Sequence, residues 1–290
     1  MMRFYRAAGK ERVAAFCFLL PSLAGFALFY LIPFGQSMIA SFQDGIGGSG
    51  SWTFANYESL FASSSFRKAA ANTFRFMAVS VPVILILSLG LALLLNRRIY
   101  FRNWLRTAYV LPLVVPVASI VLVWQILFDW NGVLNAWMEQ LGRSRMDWMN
   151  SGAAPSVIML IYVWKNIGYN VVLFLAGLQN IPEQYYEIAE LEGAGRLRKF
   201  EITLTYLTPA IFLVVLMSVL NSFKVFRETY LVAGDYPHDS IYTMQHYMNN
   251  MFLSLDIEKL SAAAMLMAAA ILVLVVTMFR TERMYRSYME

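Results

Sequence analysis

Residues 76–95 read FMAVSVPVILILSLGLALLL, a stretch without a single charged side chain. A helix rises 1.5 Å per residue, so about 20 residues cover the roughly 30 Å of a bilayer's hydrocarbon core. In that core backbone groups find no water, and a helix satisfies its own hydrogen bonds internally. The stretch therefore predicts a membrane-spanning helix. Five others resemble it, at about 13–34, 106–128, 155–178, 207–232 and 260–279. The fifth is cleanly apolar only to Phe223 and gains polar content toward Val232. The expected fold is all-α: a polytopic membrane helix bundle with six transmembrane helices, in one domain over residues 1–290.

Composition agrees with that reading. Hydrophobic residues make up 59% of the chain and charged ones 14%, whereas soluble domains carry about a quarter charged. The net charge of +5 does not indicate nucleic acid, because the basic residues sit in short loops and tails rather than along one stripe. Cys17 is the single cysteine, so there is no disulfide framework. Arg3, Arg6, Lys10 and Arg12 precede the first apolar run in the manner of a signal peptide. That run is long, and no small-x-small cleavage site follows, so a retained first span is expected.

Orientation follows from where Lys and Arg gather, since they favour cytoplasmic segments. If both termini are cytoplasmic, the inner segments hold the four N-terminal cations, then Arg97, Arg98, Arg102, Arg106, then Arg196, Arg198, Lys199, and finally Arg280, Arg283, Arg286. The opposite loops hold Arg67, Lys68, Arg143, Arg145 and Lys259. The imbalance places both termini inside. Trp52, Trp130, Trp137 and Trp148 fall in the outer loops, where interfacial anchoring is the simplest role and ligand stacking the alternative.

Several kinds of chemistry are absent from the sequence. There is no G-x-x-x-x-G-K-[ST] phosphate loop, no H-E-x-x-H and no G-x-S-x-G. His238 and His246 are the only histidines and read as solvated loop residues, so no metal site is expected. No catalytic residue and no cofactor is expected. A protein of this kind that moves a solute uphill takes its energy from a partner or from an ion.

One inner segment, residues 181–206, differs from the rest. It opens Ile181-Pro182-Glu183-Gln184-Tyr185-Tyr186-Glu187 and runs through Ile188, Ala189, Leu191 and Gly193 to the basic Arg196, Arg198 and Lys199. An early proline, acidic opening turns and following glycines predict a short helix. Ile188 and Leu191 share one face, and a helix this short is marginal alone in water, so it requires something to lie against.

This segment resembles the EAA loop of binding-protein-dependent ABC importer permeases. Glu187, Ala189 and Gly193 fit the motif, with Ile188 in place of its first alanine. Ile202 and Leu204 fit its end, one residue closer to Gly193 than usual, and Thr205 replaces the proline. The resemblance extends to Leu20-Pro21-Ser22, Ser41-Phe42, Asn56-Tyr57, Asn72-Thr73-Phe74, Leu111-Pro112, Trp164 to Gly168 and Ser222-Phe223-Lys224, in the manner of the maltose-type carbohydrate permease group. It implies a multi-pass transport subunit of the bacterial cell membrane, itself no enzyme. The implied partners are a second homologous permease subunit, two ABC ATPase subunits and an extracytoplasmic solute-binding protein. It also implies that the 181–206 helix docks on the ATPase through Glu187, Ala189 and Gly193, and the spacing of Ile188 and Leu191 adds a pair of apolar anchors to that face. The alternative is an ion-coupled secondary transporter of a small polar solute. It is disfavoured because Glu228 is the only candidate carboxylate within a span.

Polar residues at membrane depth are costly and usually face a bundle interior or a wet path. Lys165, Asn166 and Asn170 in the fourth span, and Asn221, Ser222 and Lys224 in the fifth, are the candidates for a solute path, with Arg227 and Glu228 beside them. Interhelical hydrogen bonding, and snorkelling of Lys224 and Arg227, are the alternatives. Pro112 and Pro116 are candidate kinks in the third span.

Overall fold

The computed structural model describes residues 15–44, 51–96 and 102–287. The basic residues at 3–12 and 97–98, used above for orientation, lie outside these. Among the described residues the only pairing of extended backbone is a bridge between Gln43 and Trp52; the rest of the regular structure is helical.

Six segments are long and apolar enough to cross a membrane. The first is α1 (Ala15–Ala40), interrupted by a π-helical turn at Ala27–Leu31. A short α2 (Ala55–Ala62) precedes α3 (Ser64–Asn96). At 33 residues, α3 is about 50 Å long, well over a bilayer core. Its apolar half is the stretch quoted at the outset, and residues 64–75 are a polar extension. Pro82 lies within α3 without ending it.

The third apolar run is broken. Helix α4 (Arg102–Val114) stops before Pro116, whose ψ of 138° is not helical, and α5 (Val117–Phe128) starts after it. A proline forces the preceding residue away from helical geometry, so Val115 ends one helix and Pro116 opens the next. Pro112 is accommodated inside α4. Next come α6 (Val133–Gln140), α7 (Ala154–Gln179), α8 (Gln184–Leu191), α9 (Arg196–Phe223) and α10 (Phe226–Ala233). A 3-10 turn (Asp239–Ile241), α11 (Met244–Leu253) and α12 (Ile257–Ser287) complete the chain.

The described residues group into two compact units. The smaller contains α1, α2 and residues Met251–Ala269. Within it, the Asn56 amide donates to the carbonyls of Ser41 (3.2 Å) and Gln43 (2.9 Å), and the Tyr57 hydroxyl donates to Ser41 Oγ at 2.8 Å. Phe42 packs on Phe54 and Tyr57. The pairs Ser41-Phe42 and Asn56-Tyr57 are thus the two halves of one clasp.

The larger unit runs from Ser64 to Asn250 and resumes at Ala270. Its centre is α7, which packs against α3, α9 and α4. Ile161, Tyr162, Phe174 and Leu175 of α7 are buried with Ile84 and Leu95 of α3 and Leu207 and Val214 of α9. Gly177 sets how closely α7 meets α9: a Cβ there would lie 2.8 Å from Leu207 Cδ2 and 2.9 Å from the Ala210 methyl. Small residues allow such an approach where no hydrophobic effect draws the helices together.

The loop after α10 is fastened to the polar extension of α3. Asn72 donates to the carbonyls of Asp239 (2.6 Å) and Tyr242 (3.0 Å), the Met244 N–H donates to Thr73 Oγ1 (2.9 Å), and Lys68 pairs with Asp239 at 2.7 Å. The ammonium beside it holds the Asp239 carboxyl below its ordinary range. His246, expected to be solvated, is instead fully buried on α11, between Phe226 and Tyr242. Its Nδ1 accepts from the Thr243 N–H and lies 2.8 Å from Thr243 Oγ1. Burial lowers its pKa to about 4.

Candidate coupling helix and polar cavity

The segment after α7 forms the short helix α8. Its first turn carries Glu187, and Pro182 sits ahead of the Glu183 cap rather than inside the first turn. Two hydrogen bonds end it. The Gly193 N–H donates to Glu190 O at 3.0 Å, and the Ala194 N–H donates to Ala189 O at 2.8 Å. That is the Schellman arrangement, which requires a left-handed residue after the helix. Gly193 supplies it with φ +77°. Nothing lies within 4 Å of a Cβ built on Gly193, so glycine is needed for its backbone conformation, not for space.

α8 is held against the start of α9. The hydroxyls of Tyr186 and Thr203 meet at 2.9 Å, Tyr185 stacks on Tyr206 with centroids 4.5 Å apart, and Lys199 pairs with Glu190 at 3.1 Å. This bracing supplies the partner that so short a helix needs. The expected docking residues divide accordingly. Ile188 (54% exposed) and Leu191 (89%) are open, Glu187 and Gly193 are exposed, and Ala189, at 6%, is buried within this chain. Ala189 thus lies on the inward face of α8, packed within this chain.

The second site is a cavity of about 320 Å³ between α7, the end of α9 and the start of α10. Four of the six expected path residues line it: Lys165, Asn166, Asn221 and Lys224. The other two do not. Asn170 donates to Ser218 Oγ at 3.0 Å, and Ser222 Oγ donates back to Val219 O at 2.7 Å, both buried. These two match the interhelical and local hydrogen-bonding alternative.

Glu228 is buried beside the cavity and forms an ion pair with Lys165 across from α10 to α7. Arg227 lines the same space. Tyr162 and Tyr169 also line it and were not anticipated. Their signal was present, because Tyr162, Lys165, Asn166 and Tyr169 recur at i, i+3, i+4 and i+7 on one helix face. Tyr162 donates to Ser218 O at 2.8 Å, tying α7 to α9 with a hydroxyl that is thereby committed within the protein.

Among the described residues no group of metal ligands is assembled. What the fold does bring together is a self-terminated helix with apolar side chains turned outward, and a polar cavity between spans. Both suit a membrane transporter that works with a partner. Residues 84–286 match the family described as binding-protein-dependent transport system inner membrane component, and the chain belongs to that family. It is a permease subunit of an ABC importer, a multi-pass protein of the bacterial inner membrane, and the membrane part rather than the catalytic part of that assembly.

The chain is 33% identical to the sulfoquinovosyl glycerol transport system permease protein SmoG of Agrobacterium fabrum, over 74% of this chain and 71% of that one. It is 32% identical to the sn-glycerol-3-phosphate transport system permease protein UgpA of Yersinia pestis, over 92% and 93%. It superposes on a chain of a bacterial ABC transporter that imports the acidic polysaccharide alginate, with a TM-score of 0.83, 21% identity and coverage of 97% and 98%. That likeness shows a common fold.

Proposed function

We propose that this permease conducts a hydroxylated solute of the sugar or sugar-like class, delivered by its extracytoplasmic binding protein. In this reading it pairs with a second homologous permease subunit above two ATPase subunits, and both its termini are cytoplasmic. α8 docks in a groove of one ATPase. The observation that carries the docking assignment is the exposure of Ile188 and Leu191 on a helix already braced from behind. Apolar anchors three residues apart, held on a preformed helix, are what a groove-binding helix presents. Glu187 lies next to them and is available to a basic rim.

The relatives support the solute class: their names specify sulfoquinovosyl glycerol and sn-glycerol-3-phosphate as cargo. The cavity suits such cargo, since it offers amides, a phenol and ammonium groups to hydroxyl and charged substituents. Asn166, Asn221 and Tyr169 form its hydrogen-bonding wall, and Lys165 and Lys224 its charged one.

Cysteine cross-linking in membranes tests the docking. Single cysteines at Leu191 and at Arg283 are compared in the importer co-expressed with its ATPase. Cross-links to the ATPase from Leu191 are expected. Links from Arg283 with none from Leu191, in every nucleotide state, overturn the assignment.

A further inference from the structure

We infer that the cavity beside Lys165 selects an anionic solute, one with a carboxylate, sulfonate or phosphate on a hydroxylated frame. The inference rests on the reading of this cavity as part of the solute path. Its charged lining is Lys165, Lys224, Arg227 and Glu228. From α7 the only ionisable cation is Lys165, and it is paired with Glu228 of α10. That pair is neutral as a unit. Among the described residues Lys224 and Arg227 have no ion-pair partner. The cavity therefore carries two uncompensated positive charges.

Two like charges three residues apart repel, and both side chains are exposed in this chain, open to a counter-ion that relieves the repulsion. A neutral sugar satisfies hydrogen-bond donors and acceptors but leaves both charges unbalanced. An anionic sugar supplies the missing charge while its hydroxyls engage Asn221 and Tyr169. Arg227 also provides a planar fork suited to two-pronged contact with carboxylate or phosphate oxygens. A lipid headgroup offers the same phosphate chemistry, and the test separates the two sources.

The full chain is used in its assembled importer, with Cys17→Ser and a single probe cysteine, Asn221→Cys. Modification is followed with an anionic and with a cationic methanethiosulfonate, sulfonatoethyl and trimethylammonioethyl, each normalised to its rate on free glutathione. A cleft of one sign raises the local concentration of counter-ions at least ~10-fold, so the anionic reagent is expected to be faster by that factor. Adding Lys224→Gln and Arg227→Gln should bring the ratio to about one, because the enrichment disappears with the charge. Glycerol 3-phosphate should slow modification in both dodecyl maltoside and phosphatidylglycerol vesicles, and glycerol at matched ionic strength should not.

Equal normalised rates for the two reagents, or equal effects of glycerol and glycerol 3-phosphate, overturn the anion preference and leave the solute path intact. Protection in detergent that vanishes in vesicles assigns the cations to lipid headgroups and also overturns it. Failure of both reagents to reach Asn221→Cys in any nucleotide state removes the solute path itself.

Discussion

Gly193 shows what one residue contributes to coupling. In the sequence it is a motif position, where a bulky side chain would be expected to clash. The structure leaves the space open and requires a positive φ instead. An L-residue in that conformation costs roughly 1–2 kcal/mol, while Asn tolerates it better than most. Gly193→Ala and Gly193→Trp should therefore both insert normally and lose ATP-dependent uptake in vesicles, and Gly193→Asn should keep most of it. Loss with Asn equal to the loss with Trp would restore the steric explanation. Backbone conformation is invisible in a sequence except through the glycine that permits it, which is why the position was legible and its reason was not.

His246 makes a second case at this scale. Its folded pKa of about 4 lies below the ordinary value near 6.5. The unfolded state binds the proton more readily, so folded stability is complete above about pH 6.5 and falls as pH drops toward 4. The full difference is about 3 kcal/mol as an upper bound. The thermal midpoint in detergent should fall between pH 7 and pH 5, and His246→Gln should flatten that slope. An unchanged slope would mean another group titrates. A lone histidine between tyrosines and methionines gave no sign that α11 would turn it inward.

Between elements, the contacts that matter are a close approach and an ion pair. Gly177→Leu would drive atoms into Leu207 and Ala210 at the α7–α9 contact, and overpacking of this kind costs about 1–3 kcal/mol. Lower thermal stability and faster proteolysis in detergent are expected, whereas Gly90→Leu, where an added Cβ meets nothing within 4 Å, should be mild. The Lys165–Glu228 pair links α7 to α10. Removing one partner strands a buried charge, while removing both can be tolerated. Lys165→Met should lower the amount of folded protein, and Lys165→Met with Glu228→Met should recover it without recovering transport. If the double variant is no better than the single, the two side chains do not act as a pair. The residues of this pair were evident as polar intrusions in apolar runs. Their partnership was not, because 63 residues separate them in sequence and only the crossing of two helices brings them together.

For the whole molecule, hydrophobicity alone revealed six spanning segments, since nothing else explains apolar runs of that length. It did not reveal the extra length of α3, whose residues 64–75 are polar, whereas the break at Pro116 falls at one of the two prolines already read as candidate kinks. The division of labour is equally clear. The purified subunit, lacking a phosphate loop, should release no phosphate from ATP, and release by a contaminant-free preparation would contradict its place in the importer. The loop after α10 bears on a more practical matter. Its fastening to α3 runs from Asp239 to Met244, whereas Tyr236 is 80% exposed at the preceding bend. Asp235 accepts from the Asn249 amide at 3.2 Å, so Tyr236 is the exposed point between two anchors, and an epitope or fluorophore tag inserted after it should leave both folding and uptake undisturbed, giving a handle for following the subunit in living cells.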